Sequence, residues 1–553
     1  MSSRSSLFRR KSVDQILIDA EKSGGQSGLE KILGVRDLVS LGIAAIIGAG
    51  IFSTIGRASF DGGPAVSLLF LFTAIACVFT ALCYAQFAST VPVSGSAYTY
   101  AYVSFGEIFA WIIGWALILE YAVSNMVVAI SWSEYFVGML KGFGLHIPEW
   151  LTIDPGTAWR AFEKLQMSGA ASLVGFEKVA ASAYINAPEI AGVKVLFDLP
   201  AGIITMLITW LVYVGIRESK TASNIMVILK IAVVLLVIIV GAFYVRPENW
   251  SPFAPNGVKG VMSGVAAVFF AFIGFDSIST TAEECKNPQR DLPKAMIYTL
   301  VICTVLYVLI ALVLTGMVNY KDLNVDDPLA FVFQNVGVDF VAGIISVSSV
   351  IAITSALLVY QLGQPRIWMS MSRDGLLWKR FSHIHPKYKT PGFATIVTGF
   401  VVGVPALFFD MGFFVDLTSV GTFFAFILVC CGVLYMDYSG LSEKSKFKVP
   451  RINGQYIIIS VWLAAVIFCF YMNWLWQPIT EKPLLVVFWI AWLVLGIMAI
   501  RFKFSLLPVM GILFNLYLMT ELGVSNWTIF IIWLAIGLVI YFSYGYRKSK
   551  LAR

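Results

Sequence analysis

Apolar runs long enough to cross a hydrocarbon core of about 30 Å recur along nearly the whole chain. They cover 38–57, 64–91, 107–140, 199–215, 222–245, 257–283, 295–317, 338–364, 394–409, 412–435, 455–473, 484–501, 505–520 and 526–544. That is about fourteen when read with a window of roughly 19 residues. Inside a bilayer no water satisfies backbone N–H and C=O groups, so each run must be a helix, or a broken helix shielded by its neighbours. The pattern predicts an all-α polytopic membrane protein. Composition agrees: 59% of the residues are hydrophobic and 13% charged, against about a quarter charged in soluble domains. A soluble domain and a nucleic-acid binder are both excluded.

Basic residues orient the bundle. If the N-terminus is cytoplasmic, Lys and Arg gather in the inside segments, from Arg4 to Arg36, at Arg217 and Lys220, from Lys286 to Lys294, from Arg366 to Lys389, from Lys444 to Arg451, at Arg501 and Lys503, and from Arg547 to Arg553. Fewer fall outside, and half of those lie in one long loop. Both termini are therefore expected in the cytoplasm, with an even number of spans. One of the 39 basic residues fits no interface: Lys230.

The expected organisation is a cytoplasmic segment 1–37, a transport core 38–435 that includes an extracytoplasmic loop 141–198, four further spans in 436–546 and a cytoplasmic tail 547–553. The N-terminus has no apolar core before Leu38 and does not read as a removable signal peptide. The loop reads as a partly helical cap, and a tolerated insertion is an equally good reading. Cys77, Cys83, Cys303, Cys430 and Cys431 fall inside spans, Cys285 and Cys469 near span ends. No disulfide, metal site or cofactor is expected. His146, His383 and His385 have no carboxylate company, and neither a catalytic constellation nor a phosphate-binding loop is present. An ATP-driven machine and an enzyme are disfavoured.

Two spans echo each other. The first contains AAIIGAGIF and the sixth FAFIGFDSI, each placing Ile-Gly and small or polar residues mid-span. They occupy corresponding positions if the first ten spans form two inverted five-helix repeats with helices 1 and 6 discontinuous. Taken singly, the glycines also fit ordinary close helix packing. A broken turn exposes N–H groups for a carboxylate and carbonyls for an ammonium, the two ends of an amino acid. Ile46, Gly48, Ala49 and Gly50 would supply such groups, and Phe270, Ala271 and Ile273 would shape the side-chain pocket. Phe270 is equally readable as plain aromatic mass.

Lys230 lies about nine residues beyond Thr221, so roughly 14 Å into the membrane. A cation at that depth must be partnered or neutralised, which makes a proton carrier the natural reading. Snorkelling toward the headgroups is the alternative, and the depth opposes it. Glu120, also deep, is the acidic partner expected for Lys230; a structural carboxyl bonded between helices is the other possibility. Asp276, Glu283 and Glu284 step toward the cytoplasmic end of the sixth span, where a solvated mouth suffices for the glutamates.

At GIAAIIGAGIF, CYAQFASTVPVSGSAYTYAYVSFGE, the Glu120 span, SNIMVILKIAVV, VFFAFIGFDSISTTAEECKNPQRDLPKAM and SMSRDGLLWKRFSHIHPKYKTP the chain resembles the amino acid-polyamine-organocation superfamily, and within it the cationic amino acid transporters and their bacterial relatives. The resemblance implies a substrate site between broken helices 1 and 6, with Lys230 in the place where sodium-coupled relatives hold an ion. It implies a sodium-independent, proton-coupled L-amino acid permease of the plasma membrane working by alternating access, with an amino acid and a proton as ligands and possible function as a monomer. Ala49 replaces a hydroxyl found in some relatives, and Tyr360 brings bulk to a pocket-facing position. With no obvious acid for a substrate side-chain cation, these favour neutral amino acids. A cationic substrate and an amino acid exchanger are the alternatives.

Overall fold

The computed structural model describes residues 7–11, 33–91, 96–169, 173, 176–215, 220–325, 327–471 and 483–552. Most of the N-terminal segment 1–37 thus lies outside the described residues, as do the side chains of Glu283 and Glu284. The chain is all-α and polytopic, as its apolar runs require. Its first span is split. α1 (Val35–Ile46) stops at a break, a π turn over Gly50–Thr54 restarts the helix, and α2 (Ile55–Gly62) completes it. α3 (Val66–Thr90), a short α4 (Ser96–Ser104) and α5 (Glu107–Gly142) follow, then α6 (Pro155–Ser168) and α7 (Phe176–Asn186) in a loop, α8 (Leu199–Val214) and α9 (Lys220–Ala242). The sixth span is broken twice. α10 (Gly257–Ser263) and α11 (Val265–Phe270) bend by 41° at Gly264. After Ala271–Gly274 the chain continues as a 3-10 helix, Phe275–Glu284. Ser277, Ser279 and Thr281 each donate a hydroxyl to the carbonyl three residues back, contacts that favour the tighter turn over an α-helix.

α12 (Pro288–Met317), α13 (Pro328–Asn335), α14 (Asp339–Arg373), α15 (Gly392–Ala406), α16 (Met411–Ser439), α17 (Ile457–Tyr471), α18 (Pro483–Phe502), α19 (Leu506–Glu521) and α20 (Val524–Ile540) complete the order. Among the described residues eight helical runs are long and apolar enough to cross a membrane, the bent pair makes nine, and α8, α15, α17 and α19 are shorter apolar helices. Length alone therefore does not yield fourteen. One run, Gly50–Thr90, holds parts of two expected spans, and four others are shorter than a hydrocarbon core.

Packing partners follow a regular exchange. The second span lies on the seventh (α3 on α12), the third on the eighth (α5 on α14) and the fourth on the ninth (α8 on α15). The fifth, α9, packs on spans one, seven and eight; the tenth, α16, packs on six, two and three. Replacing each span by the one five places away turns one set into the other.

The loop 141–198 is a folded cap. α6 (Pro155–Ser168) starts at Asp154, whose carboxylate accepts from the Thr157 N–H at 2.9 Å, with Pro155 in the first turn. It packs on α7 (Phe176–Asn186), followed by a hairpin of β1 (Glu189–Ile190) and β2 (Val193–Lys194) paired in antiparallel register. Ala158, Ala161, Ala180, Ala183 and Leu196 form its small core, separate from the main one. Of the last four spans, α19 packs on α16 and α3, and α20 on α16 and α5. There Trp115 and Trp533 stack at 4.6 Å and exchange indole N–H to carbonyl bonds.

Candidate functional site

A helix leaves its last four carbonyls and first four N–H groups without intrahelical partners. At the break in the first span each can be followed. Ile43 O receives the Ile47 N–H at 2.9 Å, Ala44 O receives Lys230 Nζ at 2.7 Å, and Ile46 O receives the Tyr307 hydroxyl at 3.1 Å. Ala45 O lies against Gly274. On the far side Ile51 and Phe52 both donate to Gly48 O. The N–H groups of Gly48, Ala49 and Gly50 begin the second half, where no intrahelical acceptor precedes them. Three carbonyls of the break are thus taken up by protein donors, whereas the first N–H groups of the second half have no helical turn before them to bond.

The two breaks interlock. A Cβ on Gly50 would sit 2.4 Å from Ala271 Cα, and one on Gly274, whose φ is +113°, would sit 3.2 Å from the Ala45 carbonyl carbon. Glycine is needed at Gly50 for close approach and at Gly274 for its positive φ as well. Thr54 clamps the junction, its hydroxyl donating to Gly50 O at 2.6 Å and Ala267 O at 3.1 Å.

The expected substrate residues Ile46, Gly48, Ala49, Gly50, Phe270, Ala271 and Ile273 are all buried and lie at the two breaks, where Gly50 meets Ala271. Tyr360 joins them from α14, its hydroxyl 3.4 Å from Ile273 O and its ring edge-on to Tyr121 at 5.9 Å. Lys230 is 0% exposed. Snorkelling, the alternative reading, does not occur, because its ammonium points inward onto the end of α1.

Glu120 stands elsewhere. No ion pair joins it to Lys230; its carboxyl interacts with that of Asp276, and Tyr84, Tyr121 and Tyr360 each interact electrostatically with both acids. Among the described residues Glu120 Oε2, Asp276 Oδ2 and the Tyr84 hydroxyl have no hydrogen-bond partner. Asp276 is 2% exposed, so an acidic pair lies within the core beside the sixth-span break. That pair was not legible in the sequence, where Asp276 lay among residues stepping toward a solvated end. Tyr307 was also missed: one tyrosine in an apolar run carries no signal until α12 places it on the broken carbonyl.

The sequence profile of the amino acid permease family matches residues 33–500, and that of the family's C-terminal region matches 505–549. The chain belongs to the amino acid permease family. It is similar over 549 residues, 99% of both chains, to the branched-chain amino acid permease BcaP of Bacillus subtilis (strain 168), at 38% identity. It is 37% identical over 548 residues, again 99% of both, to the methylthioribose transporter of the same organism. At 31% identity over 619 residues, 99% of this chain and 96% of its counterpart, it resembles the vacuolar cationic amino acid transporter 4 of Arabidopsis thaliana. Membership makes the chain a multi-pass amino acid carrier and not an enzyme. The break and the buried lysine lie within the first matched region, and the last two spans within the second.

Proposed function

We propose that this permease is a sodium-independent, proton-coupled importer of L-amino acids in the plasma membrane, with both termini cytoplasmic. The observation that carries this is the broken first span. The N–H groups of Gly48, Ala49 and Gly50, at the start of the second half-helix, suit a substrate carboxylate, helped by the positive end of that half-helix. Phe270, Ala271, Ile273 and Tyr360 enclose the side chain. Lys230 holds Ala44 O where a metal cation would otherwise neutralise a carbonyl-rich helix end. Loss of its proton weakens that charge-assisted bond and frees α1 to move, which links protonation to gating. Glu120, whose carboxyl interacts with that of Asp276, is the second proton group.

The regular exchange of packing partners supports two inverted five-span repeats within 38–435, with the remaining spans as an addition. Two relatives of similar identity are named for substrates without net charge, methylthioribose and branched-chain amino acids, in keeping with a neutral amino acid. The Glu120–Asp276 pair favours the alternative of a cationic side chain, because two buried acids need a counter-charge or a proton. Exchange of one amino acid for another is the remaining alternative.

Thermal-shift screening of purified protein against leucine, alanine, lysine and arginine separates the substrates, since a bound ligand stabilises the carrier by mass action. Uptake into proteoliposomes then tests coupling. An inward proton gradient must accelerate it, and Lys230→Met must remove the acceleration. Uptake that ignores the gradient and requires internal amino acid establishes exchange instead.

A further inference from the structure

We infer that the two ends of the chain form a clasp that holds the carrier's cytoplasmic exit closed, with Glu107 as its bolt. The carrier reading above supplies the need for a gate; the clasp itself is built from residues outside the substrate site. α5 begins at Glu107, and its first-turn donors are capped by the N-terminal segment. Glu107 N–H bonds Arg9 O at 2.8 Å and Ile108 N–H bonds Leu7 O at 3.2 Å. The chain passes so closely that a Cβ on Gly106, whose φ is +99°, would meet the Phe8 carbonyl carbon at 2.7 Å.

The C-terminal tail arrives at the same place. The Glu107 side chain is 0% exposed and accepts from Tyr102 at 3.2 Å, from Tyr541 at 3.0 Å and from Ser549. A buried carboxylate with three hydroxyl donors is an anchor that is costly to break. Past it, Lys550 N–H bonds Asp374 O at 3.0 Å, and Lys548 O occupies the space a Cβ on Gly375 would fill. The Asp374 carboxylate in turn takes Lys11 Nζ and the Tyr98 hydroxyl. Arg9 lies over the Tyr546 ring and Arg10 over that of Tyr435.

The clasp therefore ties the chain ahead of the first span to the start of the third, the end of the eighth and the tail beyond the fourteenth. α4, which carries Tyr98 and Tyr102, packs on the 3-10 helix Phe275–Glu284 of the sixth span, so withdrawal of that span's end from the third and eighth spans pulls on the clasp. In the closed form Cys285, at the end of the sixth span, is 0% exposed, with Lys286 N–H bonded to Leu33 O just ahead of α1. Its thiol is a native reporter of opening.

The test is the rate at which a membrane-impermeant maleimide modifies Cys285 of the full-length protein in inside-out vesicles, read by mass spectrometry. Ser549→Ala and Lys11→Ala should each raise that rate about tenfold, as expected from losing a hydrogen bond to a charged group. Buried Cys77, Cys83 and Cys303 should stay unmodified, showing that the bundle is intact. Unchanged Cys285 rates in both variants overturn the clasp. General labelling of the buried cysteines in both also overturns it, by assigning the chain ends to folding. No substrate is needed, so a failed transport assay and a failed clasp are told apart.

Discussion

Gly50→Ala tests the interlocked breaks most directly. The added methyl would meet Ala271 Cα at 2.4 Å and Ala271 Cβ and N at 2.9 Å. These neighbours include backbone, which no rotamer change can move. Restoring ordinary contact requires spans one and six to separate by about 1 Å at the junction, and overpacking of this kind costs about 1–3 kcal/mol. The separation also shifts the N–H groups of Gly48, Ala49 and Gly50 relative to Phe270 and Ile273, and displacement by about an ångström degrades a positioned site by up to roughly a hundredfold. Gly343→Ala is the control, because nothing lies within 4 Å of its added methyl and alanine favours a helix by up to about 1 kcal/mol. The assay is thermal unfolding of the purified proteins with and without leucine or lysine, whichever stabilises the wild type, followed by uptake in proteoliposomes. Gly50→Ala should lose both thermal stability and ligand-induced stabilisation, while Gly343→Ala keeps both. If Gly50→Ala retains the wild-type ligand shift and KM, the breaks do not form the substrate site by direct apposition.

Lys230→Met should leave Ala44 O without its donor, lower thermal stability, and make any remaining uptake independent of pH between 5 and 8; a retained pH profile assigns coupling to another group. Tyr307→Phe removes only the hydroxyl on Ile46 O and should cost about 1 kcal/mol, seen as a several-fold rise in KM with expression unchanged. Asp154→Ala removes the cap of α6 and should loosen its packing on α7 by about 1 kcal/mol, read as faster proteolysis within 141–198 without loss of transport. Arg160→Ala, which breaks an ion pair whose side chains are 62% and 31% exposed, should change cap stability by less than about 1 kcal/mol.

Much of the site was legible because a membrane makes polar exceptions conspicuous. An interior lysine and paired glycine clusters stand out against apolar sequence, so Lys230 and the IIGAG and FIGFD turns could be singled out from residues alone. Glu120 stood out for the same reason, but its neighbour could not be read. Depth along a helix axis follows from residue count; azimuth, which decides the facing helix, does not. Lys230 accordingly meets a backbone carbonyl, and Glu120 meets Asp276.

The sequence by itself determined the class of the protein. A chain this apolar has to be a helical bundle in lipid, since only helices satisfy their own backbone there, and glycine-rich interruptions in two spans mark where that rule is relaxed. Tertiary structure decided who satisfies the interruptions: Lys230 and Tyr307 on the end of α1, Gly50 against Ala271, Gly274 against Ala45 and the chain ends locked on Glu107. These pairings span up to hundreds of residues, and no local pattern encodes them, because each depends on how whole helices rotate and lean when they pack.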